Sequence, residues 1–234
     1  MFKNTKVIAI IPAKHRSNDL PKKNYLKVGK LSLFEIAIKS AQNSKYVDKV
    51  FVTSDSTTIL KKSKKLGTEI IKRNKNLCLD SAQAKNVILN SISLIKKKLL
   101  EDFIILYLQP TSPFRNHKHI DDAFDFLKLK KKSSLISIIK LKKTIYKSLE
   151  IKKGLIKPIF EENFISSNRQ SFGDVYAPNG AIYIFNSKVF IKNKKIPIKN
   201  SLAYKMSESD SHDIDTLDDY LLAKKMSGRF LIYK

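Results

Sequence analysis

The sequence predicts an α/β protein built on a three-layer, mainly parallel sheet, and three observations carry that reading. Short apolar runs alternate with longer stretches whose apolar residues recur at three- and four-residue spacing, the pattern of crossover units. The runs are continuously apolar, as in strands covered on both faces. At 234 residues, 42% of them hydrophobic, the chain can bury a sizeable core in one or two domains.

The elements follow in order. Val7 to Ile11 is a continuous β-rich run, and Phe34, Ala37, Ile38 and Ala41 then fall at helical spacing. Val50-Phe51-Val52 is a second buried strand, followed by a Lys-rich helical stretch to Leu66 that stops at Gly67. Ile70-Ile71 makes a third strand; Ile88, Ile92, Ile95 and Leu99 line one face of a long helix; Phe103 to Leu108 gives a fourth strand. Ile120, Ala123, Phe124 and Leu127 stripe the next helix, with Asp121 and Asp122 in its first turn, where the dipole favours acids. Ser134 to Leu141 reads as a fifth strand. The alternation breaks over residues 142–178, where Glu150 to Ile156 suggests a hairpin, and resumes with a strand at Ala181 to Phe185 and a helix from about Thr216. With no repeat and no low-complexity linker, residues 1–234 read as one domain with an inserted arm at 142–178.

Composition narrows the function classes. Lys+Arg 46 against Asp+Glu 21 gives a net charge of +25, which would suit a nucleic-acid partner. Only five of those 46 are Arg, however, and the chain is rich in Asn and Ile, as drift toward A/T-rich codons produces. The lysines are scattered and no RNP-type aromatic motif accompanies them, so no nucleic-acid partner is expected. Cys78 is the one cysteine, excluding an internal disulfide and multi-cysteine zinc sites, and is expected to be buried. No apolar run approaches the roughly 18–20 residues of a membrane span, and the segment from Met1 into Val7–Ile11 lacks the features of a signal peptide. A soluble, cytoplasmic chain without a membrane partner is the expectation. The six glycines form neither G-x-G-x-x-G nor a Walker A loop.

Three segments carry chemistry. The loop after the first strand places Lys14, Arg16, Ser17, Lys22, Lys23 and Asn24 between Pro12 and the helix to come. A parallel sheet binds ligands at its carboxyl ends, so this cationic loop could hold a triphosphate, or it could be a solvated connector. Gln109-Pro110-Thr111-Ser112-Pro113-Phe114-Arg115 follows the fourth strand, and its two prolines stiffen a backbone from which Gln109, Thr111, Ser112 and Arg115 could project toward a polyhydroxylated or carboxylated ligand. Asp213-Ile214-Asp215 sets two carboxylates on one side of an extended segment, suited to Mg²⁺ on a nucleotide. Asp215-Thr216-Leu217-Asp218 is equally a helix N-cap, and taken alone the capping reading is the stronger. His212 beside Asp213 makes no hydrolase triad, since no G-x-S-x-G elbow exists, and His117-x-His119 reads as a helix-start pair.

Taken together and in order, these segments resemble the acylneuraminate cytidylyltransferase family, the synthetases of CMP-sialic, CMP-pseudaminic and CMP-legionaminic acids. The resemblance covers nearly the whole chain. The family's I-P-A-R-x-G-S-K-x-x-P-x-K-N loop is matched by Ile11-Pro12-Ala13, Ser17, Pro21, Lys23 and Asn24, and its R-P-x-x-L-A-x-D segment by Arg73, Leu77 and Asp80. L-Q-P-T-S-P-x-R is reproduced fully from Leu108 to Arg115, R-Q by Arg169-Gln170, Y-x-x-N-G-A-I-Y-I by Tyr176 to Ile184, and D-I-D by Asp213 to Asp215.

The resemblance implies a three-layer Rossmann-like nucleotidyltransferase fold and transfer of CMP from CTP to the anomeric hydroxyl of a nonulosonic acid, with Mg²⁺ as cofactor and pyrophosphate released. It implies that Lys14, Ser17, Lys23, Asn24 and Arg73 hold the nucleotide, with Arg16, at a departure from the pattern, read as adding direct charge to it, and that Gln109, Thr111, Ser112, Lys147, Arg169, Gln170 and Asn179 line the sugar pocket. Asp213 and Asp215 would ligate the metal and, with Lys23, carry catalysis, so that the resemblance favours the metal over the cap for this segment. The arm at 142–178 would serve dimerisation and a neighbour's site in a homodimer. The chain departs from the pattern at Lys14, His15 and Arg16, at Asn18 and at Asn74. The 3-deoxy-manno-octulosonate cytidylyltransferases, whose first loop typically ends in G-K-P, and a non-catalytic nucleotide- or polyanion-binding homologue are the alternatives.

Overall fold

The first apolar run forms strand β1 (Val7–Pro12), whose five leading residues are fully shielded from solvent. Strand geometry sends alternate side chains to opposite faces: Val7, Ala9 and Ile11 join one core cluster, Ile8 and Ile10 another. Both faces are therefore covered, which is why the run is continuous. The structure is a computed structural model and describes residues 2–17, 19–79 and 82–230.

Among these residues, seven strands form one sheet in the order β11-β7-β10-β6-β1-β4-β5. The remaining strands are β4 (Lys49–Ser54), β5 (Glu69–Lys72), β6 (Ile104–Tyr107), β7 (Leu135–Lys140), β10 (Tyr176–Asn186) and β11 (Leu202–Lys205). β2 (Lys27–Val28) and β3 (Leu31–Ser32) form a small separate ribbon. β1 pairs in parallel with β4 and β6, β4 with β5, and β7 with β11, whereas β10 runs antiparallel to both β6 and β7. Helices α1 (Leu33–Gln42), α2 (Thr57–Lys65) and α4 (His117–Leu129) send Phe34, Ala37, Ile59, Ile120 and Phe124 onto one face. Helices α3 (Ala84–Leu99) and α5 (Ser187–Asn193) send Ile88, Ile92, Ile95 and Phe190 onto the other. Each such buried Ile or Phe side chain contributes about 1.5–3 kcal/mol. α6 (Leu217–Phe230) closes the described chain.

The order positions the site. From β1 the chain steps outward to β4 and β5, then recrosses to place β6 on the opposite side of β1. The loops after β1 and β6 thus diverge from adjacent strands at a topological switch point, where open α/β sheets form their ligand crevice.

Several elements depart from the sequence pattern. β10 begins at Tyr176, five residues before the apolar run, because Tyr176 to Pro178 pairs with β7 ahead of a register shift between Pro178 and Tyr183. β11 and α5 lack the continuous or evenly spaced apolar pattern that marks the other elements. In the arm, β8 (Leu149–Lys152) and β9 (Leu155–Pro158) form the expected hairpin, paired with each other outside the main sheet. Its base has a small aromatic cluster of Tyr146, Phe160, Phe164 and Phe172, with Tyr146 and Phe172 centroids 4.9 Å apart. Beyond that cluster Ile151, Leu155, Ile156 and Ile159 lie exposed.

Candidate active site

A cleft of about 340 Å³ opens at the switch point. Its walls include Lys14, Lys23 and Asn24 from the loop after β1, Arg73 after β5, Tyr107, Gln109 and Thr111 at the end of β6, and Asp213 and Asp215 beyond β11. Leu77, Leu79, Ala82 and Val87 supply an apolar side. These segments, far apart in sequence, are fastened beneath the cleft by one hydrophobic cluster: Leu20 and Val28 from the first loop, Phe114 after β6, Ile214 between the two aspartates, and Ala223 of α6. The Ile214 amide also donates to the Thr111 carbonyl at 2.9 Å.

Within the first loop, Asn24 Nδ2 donates to the Lys14 carbonyl (2.8 Å) and the His15 amide to Asp55 Oδ1 (2.7 Å). His15 Nδ1 lies 3.0 Å from the Tyr25 hydroxyl, so the ring substituted into this loop packs against Tyr25. Arg16 is exposed, and neither it nor half-buried Ser17 lies among the cleft walls. Asn18 and Asp80 lie outside the described residues. Arg73 is buried, its Nη2 donating to the Thr53 carbonyl at 3.0 Å. Burial pulls its pKa below the ordinary value, while nearby Tyr107, Cys78 and Asp55 oppose that shift. Cys78 is half-buried rather than buried, because the turn that carries it forms the cleft rim.

The aspartates differ. Asp215 is open to solvent and pairs with Lys23, Nζ to Oδ1 2.8 Å. Asp213 is largely buried; burial raises its pKa, the Thr111 hydroxyl hydrogen bond opposes, and the charge of Asp215 adds to the rise. Its Oδ1 has no hydrogen-bond partner among the described residues, a costly arrangement for a carboxylate unless a ligand completes it. The hydrogen bonds at the start of α6 bear out an N-cap in this segment and place it at Thr216. Asp219 Oδ2 accepts from the Asp215 and Thr216 amides, and Thr216 Oγ1 accepts from the Asp219 amide. The box is closed by Thr216 and Asp219, and the Asp215 carboxylate takes no part in it.

A buried carboxylate with an unused oxygen beside an exposed one suits a hard divalent cation. Among the described residues no group of three or more His, Cys, Asp or Glu forms, so phosphate oxygens and water would complete such a site.

The other sequence-derived positions are distributed differently. Ser112 is fully buried, and its hydroxyl has no partner among the described residues. Arg115 does not project: it is wholly buried, with Nη2 donating to the Gln109 carbonyl at 3.2 Å. Asn179 is buried and bonds within the protein through both ends of its amide. Lys147 donates to the Ile165 carbonyl (2.9 Å), and Arg169 and Gln170 are exposed on a turn; all three belong to the arm and none lies among the cleft walls. Sequence reasoning missed Tyr107, a polar-tipped residue at the end of a central strand, and Gly180, whose positive φ of +75° is the signal of a close backbone approach.

Comparison with known proteins agrees with this geometry. Residues 8–215 match the family described as Cytidylyltransferase. The chain is 34% identical over 222 residues to an N-acylneuraminate cytidylyltransferase of Escherichia coli O18:K1:H7, covering 94% of this chain and 51% of that protein. It thus spans about half the length of that relative. It is 31% identical over 227 residues to a CMP-N,N'-diacetyllegionaminic acid synthase of Legionella pneumophila, covering 94% of this chain and 96% of that one. Among solved structures, a CMP:2-keto-3-deoxy-manno-octonic acid synthetase complexed with CTP superposes with a TM-score of 0.71 at 14% identity, covering 97% of this chain and 100% of the other, a likeness of fold.

Proposed function

The chain belongs to the cytidylyltransferase family, and from that premise we propose that it transfers CMP from CTP to the anomeric hydroxyl of a nonulosonic acid, releasing pyrophosphate. The observation that carries the reading is the switch-point cleft, where Lys14, Lys23 and Arg73 face Asp213 and Asp215 with one Asp213 oxygen left unused. Attack of a hydroxyl on the α-phosphorus needs chiefly positioning and charge stabilisation. Lys14 and Lys23 would supply cations to the triphosphate, with Arg16, Ser17 and Asn24 shaping the loop around it, and Arg73 would seat the nucleotide. Gln109 and Thr111 would face the sugar acid, with Ser112 beneath them. Asp213 and Asp215 would hold Mg²⁺, which when bound offsets the charge of the triphosphate. Lys23, which pairs with Asp215, would then turn to the phosphates.

The arm supports a homodimer, because Ile151, Leu155, Ile156 and Ile159 stand exposed on and beside a hairpin that, among the described residues, pairs only with itself. In that assembly Lys147, Arg169 and Gln170 would serve the neighbouring cleft. Among the described residues no helix is long and apolar enough to cross a membrane. A reaction that consumes CTP suits the cytoplasm, where the nucleotide is made. The test is pyrophosphate release with CTP, Mg²⁺ and a panel of nonulosonic acids plus the eight-carbon octulosonate, with and without chelator.

A further inference from the structure

We infer that the bulge at Asn179–Gly180 in β10 is a positioning device for the transfer proposed above, on which its functional part rests: Gly180 holds open the slot occupied by the Gln109 carboxamide, and Asn179 ties that slot to the segment bearing the two aspartates. Strand β10 loses register between Pro178 and Tyr183, and bulges re-aim side chains next to sites. Gly180 adopts φ +75°, and a Cβ there would overlap Gln109 Oε1, lying 3.5 Å from Gln109 Cδ and 3.7 Å from Ser112 Oγ. A side chain at 180 therefore requires the Gln109 carboxamide, at the end of its flexible stem, to swing away from this position. On the other side, Asn179 Oδ1 accepts from Ser137 Oγ (2.5 Å) and the Ala181 amide (3.3 Å), which fixes the bulge. Asn179 Nδ2 donates to Ser211 Oγ (2.9 Å) and Met206 Sδ (3.3 Å), both on the stretch leading from β11 to Asp213. Asn179 thus acts through the protein instead of on the sugar.

A double-mutant cycle in the full chain tests this without any substrate. Gly180→Ala lowers Tm by about 4–8 °C, chiefly from left-handed strain with the clash added; in a Gln109→Ala background the drop is smaller by the share the clash contributes, because the clashing atoms are gone. Should Gly180→Ala fail to fold, Gly180→Asn tolerates positive φ while still carrying a Cβ. Equal drops in both backgrounds overturn the steric claim. In turnover, Gly180→Ala raises KM for the sugar acid about tenfold and leaves KM for CTP within about twofold, a split that simple loss of folded protein does not give. Asn179→Ala raises the Mg²⁺ concentration needed for half-maximal rate; a raised sugar KM with unchanged Mg²⁺ demand would put Asn179 on the substrate and overturn its part. Thermal coupling in a wild-type chain that turns over no sugar acid supports the steric claim and overturns the reaction.

Discussion

Asp213→Asn separates what the buried carboxylate does for the fold from what it does for the reaction. The carboxyl is largely buried, one oxygen is unpartnered, and Asp215 lies close enough to add to the rise of its pKa. A buried polar group without a partner costs about 1–3 kcal/mol. Asparagine keeps the shape and the Thr111 hydrogen bond but sets an unpartnered Nδ2 where Oδ1 was, so the gain of about 1 kcal/mol expected here comes from removing the buried charge alone. In a chain of this size that is a rise in Tm of about 2–4 °C, measured by thermal unfolding at pH 8 in chelator. The sign follows from linkage: a carboxyl whose folded pKa is raised from 3.8 destabilises the fold above that raised value, and the penalty vanishes as pH falls through it. The advantage of the variant therefore shrinks toward pH 4. With Mg²⁺ and CTP at a hundred times the dissociation constant, the wild-type chain gains about 2.7 kcal/mol, whereas the variant gains much less and loses at least about a hundredfold in turnover. A variant less stable than wild type in chelator, or equally stabilised by Mg²⁺ and CTP, would refute the reasoning.

Three further outcomes are expected. Lys23→Met lowers kcat/KM about a hundredfold by removing a cation from the triphosphate; Tm stays within about 2–4 °C, since partner Asp215 is 63% exposed and such pairs contribute about 1 kcal/mol or less. His119 faces Asp210 at 3.6 Å and accepts the Asn116 amide through Nδ1. Burial lowers its pKa below 6.5; Asp210 and Asp122 oppose that shift, while Arg115 and His117 add to it. A histidine held neutral in the fold makes stability fall as pH drops below the unfolded value of 6.5, and His119→Gln, which can still accept at that capping position, flattens the slope seen in Tm between about pH 6.5 and 5. Ile156→Asp on the exposed hairpin halves the mass found by light scattering and lowers turnover with it; a wild-type chain that is monomeric and fully active would rule the arm out as a dimer contact.

The sheet was legible wherever burial on both faces left an unbroken apolar run, as in β1 and β6, and the helices wherever their stripes were regular, as in α3 and α4. The first half of β10 was not, because Tyr176-Ala177-Pro178-Asn179-Gly180 carries turn chemistry that the bulge uses inside a strand. Among site residues, those on loops at strand ends could be placed by topology once the parallel order was granted, which is why Lys23, Arg73, Gln109 and Asp213 meet. Arg115 was read from its type and its place at a strand end as a group offered to a ligand, and Asn179 was assigned to the sugar pocket by the family resemblance, yet both are buried and bonded inward. Residue type does not say which way a side chain points. Which residues cap α6 was not legible, since the segment contains acids enough for both the cap and the cleft, and only the hydrogen bonds show that Thr216 and Asp219 close the box and leave the Asp215 carboxylate out of it.

The most direct measurement is pyrophosphate release by the purified chain with CTP, Mg²⁺ and the panel of sugar acids, run in parallel with chelator. Metal-dependent release with a nine-carbon nonulosonic acid is the expected result and identifies the acceptor in the same assay. Release with the octulosonate alone, or silence across a panel that a control enzyme turns over, would contradict the account.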